Sequence, residues 1–284
     1  MKFIKTVWFD FYNGIIRNML LFICPAGIAA LVLFNCIYKI NTYLALPGCT
    51  ETYYSFGDLW FYIYGGMEKY VYLPDNPFNF PVVWTIVFFA CAILVLNYPT
   101  KDMLGTGTHF LVYGGSRSKW WMSKVLWNVL STVIFHGIIL IIILISCFAV
   151  NIDIKPGLNV SLVQYLYEFK HDVSLYFVDS IPAAVFFLPI VISIAMNLFQ
   201  MTLALFVNPT YSFIAHCALM VASAFIMTEF LIYNFAMPLR HSWVYEDGFN
   251  YMHGYLGAAF MIVLSVVAGL IRFRRYDIIK KEDY

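Results

Sequence analysis

Residues 113–150 read Tyr113-Gly-Gly-Ser-Arg-Ser-Lys-Trp-Trp-Met-Ser-Lys124 and then, without a break, the apolar run Val125 to Val150. About 20 mostly apolar residues suffice for a helix to cross a bilayer, and this run exceeds that. The residues before it are of a different kind. Gly114 and Gly115 break the chain, Ser116 or Ser118 supplies an N-cap, and Trp120 and Trp121 suit a membrane–water boundary with Arg117, Lys119 and Lys124 among the headgroups. The stretch therefore reads as a short cytoplasmic contact helix, a place where something outside the membrane pushes on the helices within it.

Working outward, five more segments are long and apolar enough to span: Met19 to Tyr38, Phe80 to Tyr98, Ile181 to Val207, Tyr211 to Ala236 and Gly254 to Phe273. The composition agrees, with 62% hydrophobic and 12% charged residues and a mean hydropathy of +0.77, more apolar than a soluble chain of this length needs for its core. The runs are continuous rather than alternating, which argues against a barrel. The expected fold is an all-α membrane protein, one transmembrane domain over residues 1–284 with six spanning helices.

The basic residues set the orientation. With both termini cytoplasmic, the inner segments hold 12 of the 17 Lys and Arg residues, among them Lys101, the contact helix and the 274–284 tail, while the outer segments hold Lys39, Lys69, Lys155, Lys170 and Arg240 beside ten acids. That is the asymmetry of the positive-inside rule. The net charge of +1 conceals it and gives no reason to expect a nucleic-acid partner. Over residues 1–18, Phe3, Val7, Phe11 and Ile15 recur at helical spacing, with Lys2, Thr6, Asp10, Asn13 and Arg17 on other faces; this predicts an amphipathic helix lying in the bilayer interface with Trp8 as its anchor. The run after it is longer than the 7–15 apolar residues of a cleaved signal.

Two outer segments are rich in aromatics. Ser55-Phe-Gly-Asp58 resembles a capping box before Leu59–Tyr64, and Leu162, Tyr165, Leu166, Phe169, Val173, Tyr176 and Phe177 predict a second outer helix. Either they form a lid or they belong to an interfacial aromatic belt. Cys49 is the only cysteine outside the spans, so no disulfide framework or metal site is expected. The inner link Asn208-Pro-Thr-Tyr211 is a tight turn and a second, smaller cytoplasmic contact.

Taken together, the amphipathic N-terminal helix, six spans, the Gly-Ser-Arg-Ser-Lys-Trp-Trp-Met-Ser-Lys segment between spans two and three, the Asn-Pro turn and the Arg272-Phe-Arg-Arg-Tyr-Asp-Ile-Ile279 exit resemble permease subunits of type-2 ABC exporters. The resemblance covers the whole chain and is most specific over residues 113–124. It implies a pair of permease subunits in the cell membrane, from two copies or from one copy and a relative, each docked on a cytoplasmic ATPase. In such a complex Gly114, Gly115, Ser116, Arg117, Ser118, Lys119, Trp120, Trp121 and Lys124, with Asn208 and Pro209, meet the ATPase, and ATP and Mg are bound by that partner. The compact form is most similar to bacterial exporters of peptides and antibiotics, including those conferring immunity to such compounds. The chain itself has no Gly-x-x-x-x-Gly-Lys-Ser/Thr phosphate cradle.

Polar residues within the spans are candidates for a translocation path, because each costs free energy in lipid unless it faces protein or water. Asn128, Thr132 and His136 share a face of span three; Ser193, Asn197 and Gln200 form a stripe on span four; His216 and Ser223 lie on span five with Ser212. Interhelical hydrogen bonding is the competing reading for each. Glu229, near the outer end of span five, is neutral, paired or open to an outer cavity. Ser265 and Gly269 suit close packing of span six. Two other functions compete with a permease. A proton-coupled transporter would relay through Glu229, His136 or His216 but usually shows an internal repeat, which is absent. An intramembrane enzyme would place a carboxylate beside one of these histidines, and none lies three or four residues away.

Overall fold

The computed structural model describes residues 2–47, 53–70, 78–112, 116–168, 180–244 and 247–276. Gly114, Gly115, Cys49 and the predicted helical positions 169–177 lie outside them. Among the described residues the fold is helical, with no strand and only two isolated bridges. Its elements are α1 (Lys2–Phe11), continued by a π-turn over Tyr12–Ile16, α2 (Leu20–Leu44), α3 (Phe56–Tyr64), α4 (Val82–Leu96), α5 (Tyr98–Leu104), α6 (Thr106–Val112), α7 (Arg117–Val150), α8 (Val160–Tyr167), α9 (Ala183–Leu203), α10 (Pro209–Phe225) and α11 (Tyr251–Arg274).

Among the described residues, five helical stretches are long and apolar enough to cross a membrane: α2, α4 with α5, α7, α9 and α11. Their burial is what a multi-pass membrane protein requires. On α2, Leu21, Pro25, Ala29, Leu33, Cys36 and Ile40 form one buried stripe, while Leu31 and Phe34 on the other faces are 74% and 77% exposed. A helix apolar all round with only one stripe covered is stable where lipid covers the rest. Helix α9 is the most enclosed of the five and contacts α4, α7, α10 and α11. Thr202 on α9 donates to Ser265 O (2.9 Å), and Tyr255 donates to Ala184 O (2.7 Å), tying α11 to it at both ends.

Two expectations are corrected. The contact helix and span three are not separate elements, since α7 runs unbroken for 34 residues from Arg117. Nothing interrupts it, because Lys124 finds buried partners and so requires no exit from the core. The run Tyr211 to Ala236 is not one helix either. Helix α10 stops at Phe225 after 17 residues, about 25 Å, short of the roughly 30 Å hydrocarbon core. The cause lies downstream. Buried Arg240 donates to Ser223 O and Ala224 O at the helix end, to Asn234 Oδ1, and to Met67 O (3.1 Å). Asn234 in turn donates to Ile226 O (2.9 Å) and Thr228 O (2.8 Å). These donors satisfy the terminal carbonyls that another helical turn would otherwise take, and a guanidinium at a helix C-terminus is favoured by the dipole.

The end opposite the basic segments is closed by α3 and α8. Asp58 completes the expected capping box, accepting from Ser55 N (2.8 Å), and also accepts from Asn159 N (2.8 Å) at the start of α8. A Cβ on Gly57 would lie 2.0 Å from Gly157 O, so the two segments meet only because glycine stands there. The two aromatic segments thus form one packed cap. Burial raises the Asp58 pKa to about 6 from its ordinary 3.8, outweighing the hydrogen bonds that favour its charged form. The folded state therefore holds a proton that the unfolded chain releases above pH 4. The stabilisation is complete below that value and lost as pH rises through about 6, a difference of about 3 kcal/mol. Denaturant unfolding in detergent should show stability increasing from pH 7 to 5, and Asp58→Asn should flatten that slope.

Candidate functional site at the basic end

Lys124 is the centre of the basic end. It lies two turns into α7, one turn beyond Trp120 on the same face, and its side chain is fully buried. Its ammonium pairs with Asp10 Oδ1 from α1 and with Asp102 Oδ2 (2.6 Å) from α5. It also sits over the rings of Tyr98 (4.9 Å) and Trp120 (4.8 Å). The carboxylates are held in turn. Tyr98 donates to Asp10 Oδ1 (2.9 Å), Ser123 donates to Asp10 Oδ2, Trp120 Nε1 donates to Asp102 Oδ2 (3.1 Å) and Thr106 donates to Asp102 Oδ1 (2.9 Å).

Local sequence explains how these groups arrive. Pro99 in the first turn starts α5, which places Tyr98 and Asp102 one turn apart. Gly107 allows α6 to approach, since a Cβ there would lie 2.9 Å from Trp120 Nε1, and Gly14 admits Tyr98 and Trp127 against the π-turn. Desolvating a lysine and two aspartates costs several kcal/mol per ion, so the cluster persists only because each charge is paired and further hydrogen-bonded. Mechanically it is a clamp joining α1, α5 and α7.

A second set of contacts fixes the first turns of α7 to the end of α11. Arg117 donates to Arg274 O (2.9 Å) and Tyr276 O (2.8 Å), Arg274 donates to Ser118 Oγ (3.0 Å), and the Trp120 ring stacks on Phe273 at 4.6 Å. Trp121 donates to Val266 O (3.2 Å), and its ring lies against Gly269, where a Cβ would be 2.0 Å from it. Ser265 and Gly269 thus serve packing within the chain.

Trp120, Trp121 and Lys124, expected among headgroups, are therefore inside the molecule, and Arg117 is occupied by backbone carbonyls. Ser116 caps no amide with its side chain. Among the residues that the basic end leaves exposed are Ser116, Lys119, Lys101, His109, Arg274 and Arg275. Asn208 and Pro209 start α10, with Asn208 Oδ1 accepting from Tyr211 N (2.9 Å).

The path candidates lie deeper. Asn197 donates to Thr132 Oγ1 (3.0 Å), Thr132 to Asn128 O (2.9 Å) and Gln200 to Ala92 O (3.1 Å), while Ser193 faces Cys91 Sγ (3.7 Å). These residues, with His136, are sealed between α4, α7 and α9. His136 Nδ1 hydrogen-bonds the Tyr64 hydroxyl (2.9 Å), His216 bonds Tyr233, and Ser223 donates to Leu219 O (2.8 Å). Several polar atoms remain unpartnered, among them Asn128 Oδ1, Gln200 Oε1 and His136 Nε2. Glu229 stands apart, paired with His253 at 3.0 Å, both half-exposed.

Sequence reasoning missed Asp10, set among the polar faces of α1 but buried, and Tyr98, Asp102 and Ser123. One signal pointed to the pair of acids. Asp10 and Asp102 are the only carboxylates, before the C-terminal tail, in the segments that the sequence reading placed inside, against a strongly basic background. Neither a family model nor a curated protein matches this sequence.

Proposed function

We propose that this chain is the permease subunit of an ABC exporter, with six crossings that include the short α10, both termini cytoplasmic and α1 in the inner interface of the cell membrane. A separate cytoplasmic ATPase binds ATP and Mg, a second permease subunit completes the complex, and the cargo is an amphipathic peptide, antibiotic or other hydrophobic compound. The observation that carries this reading is the clamp on Lys124. It makes α1, α5 and the first turns of a 34-residue helix one rigid body, with Lys119 exposed at its tip. A push on that tip moves α7 as a unit, and this is the property a coupling element needs. Positive charge at the exposed tip also suits an acidic cleft on the ATPase.

The test follows from which residues remain free. Lys119→Glu combined with Lys101→Glu is expected to abolish co-purification of the ATPase, or to uncouple substrate-stimulated ATP hydrolysis, while leaving insertion and thermal stability unchanged. Arg117 is a poor choice for this purpose because its bonds to Arg274 O and Tyr276 O are structural. Full co-purification and full stimulation in the double variant would overturn the proposal.

A further inference from the structure

A cleft of about 350 Å³ opens between α9, α10 and α11 near the end opposite the clamp. Met196, Leu219, Phe260 and Met261 supply apolar walls, with Glu229 and His253 in the lining. The volume lies at the lower end of the range for ligand pockets, about 300–1,000 Å³. Beside it Phe230 and Phe260 are 97% and 67% exposed, so the opening faces the surroundings of the helices and not the sealed core. Gly257 adds room on the α11 side, since a Cβ there would meet nothing closer than Ile232 at 3.7 Å.

Glu229 has no part in the Arg240 clasp or in any helix cap. Its Oε1 meets His253 Nδ1, and among the described residues Oε2 accepts no hydrogen bond. His253 meets one carboxylate oxygen and leaves the other without a protein donor among the described residues, and an acid beside apolar walls is costly to keep without a partner. The free oxygen therefore presents an acceptor at the edge of an apolar slot. That combination favours a cation with a single apolar body: an anion is disfavoured, and a neutral donor gains a hydrogen bond but not the charge-assisted one.

We propose that this cleft binds a monocationic amphiphile, with its ammonium on Glu229 and its alkyl or aryl body along the walls from α9 and α11. This deepens the export reading by naming a cargo class and a site, and it rests on that reading only for its biological meaning. The test uses the purified full chain in maltoside micelles without any ATPase, so that failure of binding and failure of export are separate results. The probes are a diazirine-bearing decylammonium and the corresponding decanol, with labelled peptides mapped by mass spectrometry. The ammonium probe should label residues 219–235 and 253–261 about tenfold more than the alcohol, as a charge-assisted contact predicts. Glu229→Gln should bring ammonium labelling down to the alcohol level, and Gly257→Leu should lower labelling by both. Equal labelling by the two probes, labelling elsewhere in the chain, or an unchanged preference in Glu229→Gln would overturn the assignment.

Discussion

Lys124→Met is expected to destabilise the protein by about 3–5 kcal/mol, because it removes one member of a buried ion cluster and leaves two carboxylates without compensation. Asp10 and Lys124 are essentially inaccessible, and Asp102 nearly so, so water cannot replace the lost partner without opening the interface. Denaturant unfolding in detergent measures the loss. A simple loss of side-chain volume would behave differently in combination. The triple variant Lys124→Met, Asp10→Asn, Asp102→Asn removes every charge together and should regain most of the stability, since the penalty lies in uncompensated charge. If the triple variant is less stable than Lys124→Met, the ionic account of the clamp is wrong. Protease cleavage within residues 1–17 should rise in the single variant and fall back in the triple one, because α1 is held through Asp10.

Arg240→Leu should have an effect of similar size, about 3–5 kcal/mol, by a different route. The guanidinium serves the carbonyls of Ser223, Ala224 and Met67 and the side chain of Asn234, and each buried group left unsatisfied costs about 1–3 kcal/mol. Asn234→Ala should cost less, because Arg240 still covers the end of α10. Cysteine-accessibility mapping of residues 226–236 then distinguishes the mechanism. If Arg240 holds the chain that follows the helix, the buried positions 233–236 become reactive in Arg240→Leu, whereas unchanged reactivity there together with full stability would mean that the segment is held by other contacts.

The sequence by itself was sufficient for the apolar helices α2, α4, α7, α9 and α11 and for the capping box at Ser55 and Asp58. Continuous hydrophobicity and cap spacing act over a few residues, so they are present before any tertiary contact forms. The same local reading extended span five to Ala236, because nothing within residues 211–236 breaks an apolar helix. The stop at Phe225 is imposed by Arg240 and Asn234, which return to the helix end only once the chain has folded back. It also placed Lys124, Trp120 and Trp121 at the surface, as their neighbours Arg117, Ser118 and Lys119 suggest. Their partners stand far away in the chain: Asp10, 114 residues before Lys124, and Val266, 145 residues beyond Trp121. A basic residue followed by an apolar run carries the same local signal whether its charge faces phosphate groups or a buried pair of aspartates. Only the packing of α1 and α5 against α7 supplied those aspartates, and burial then made their pairing with Lys124 obligatory.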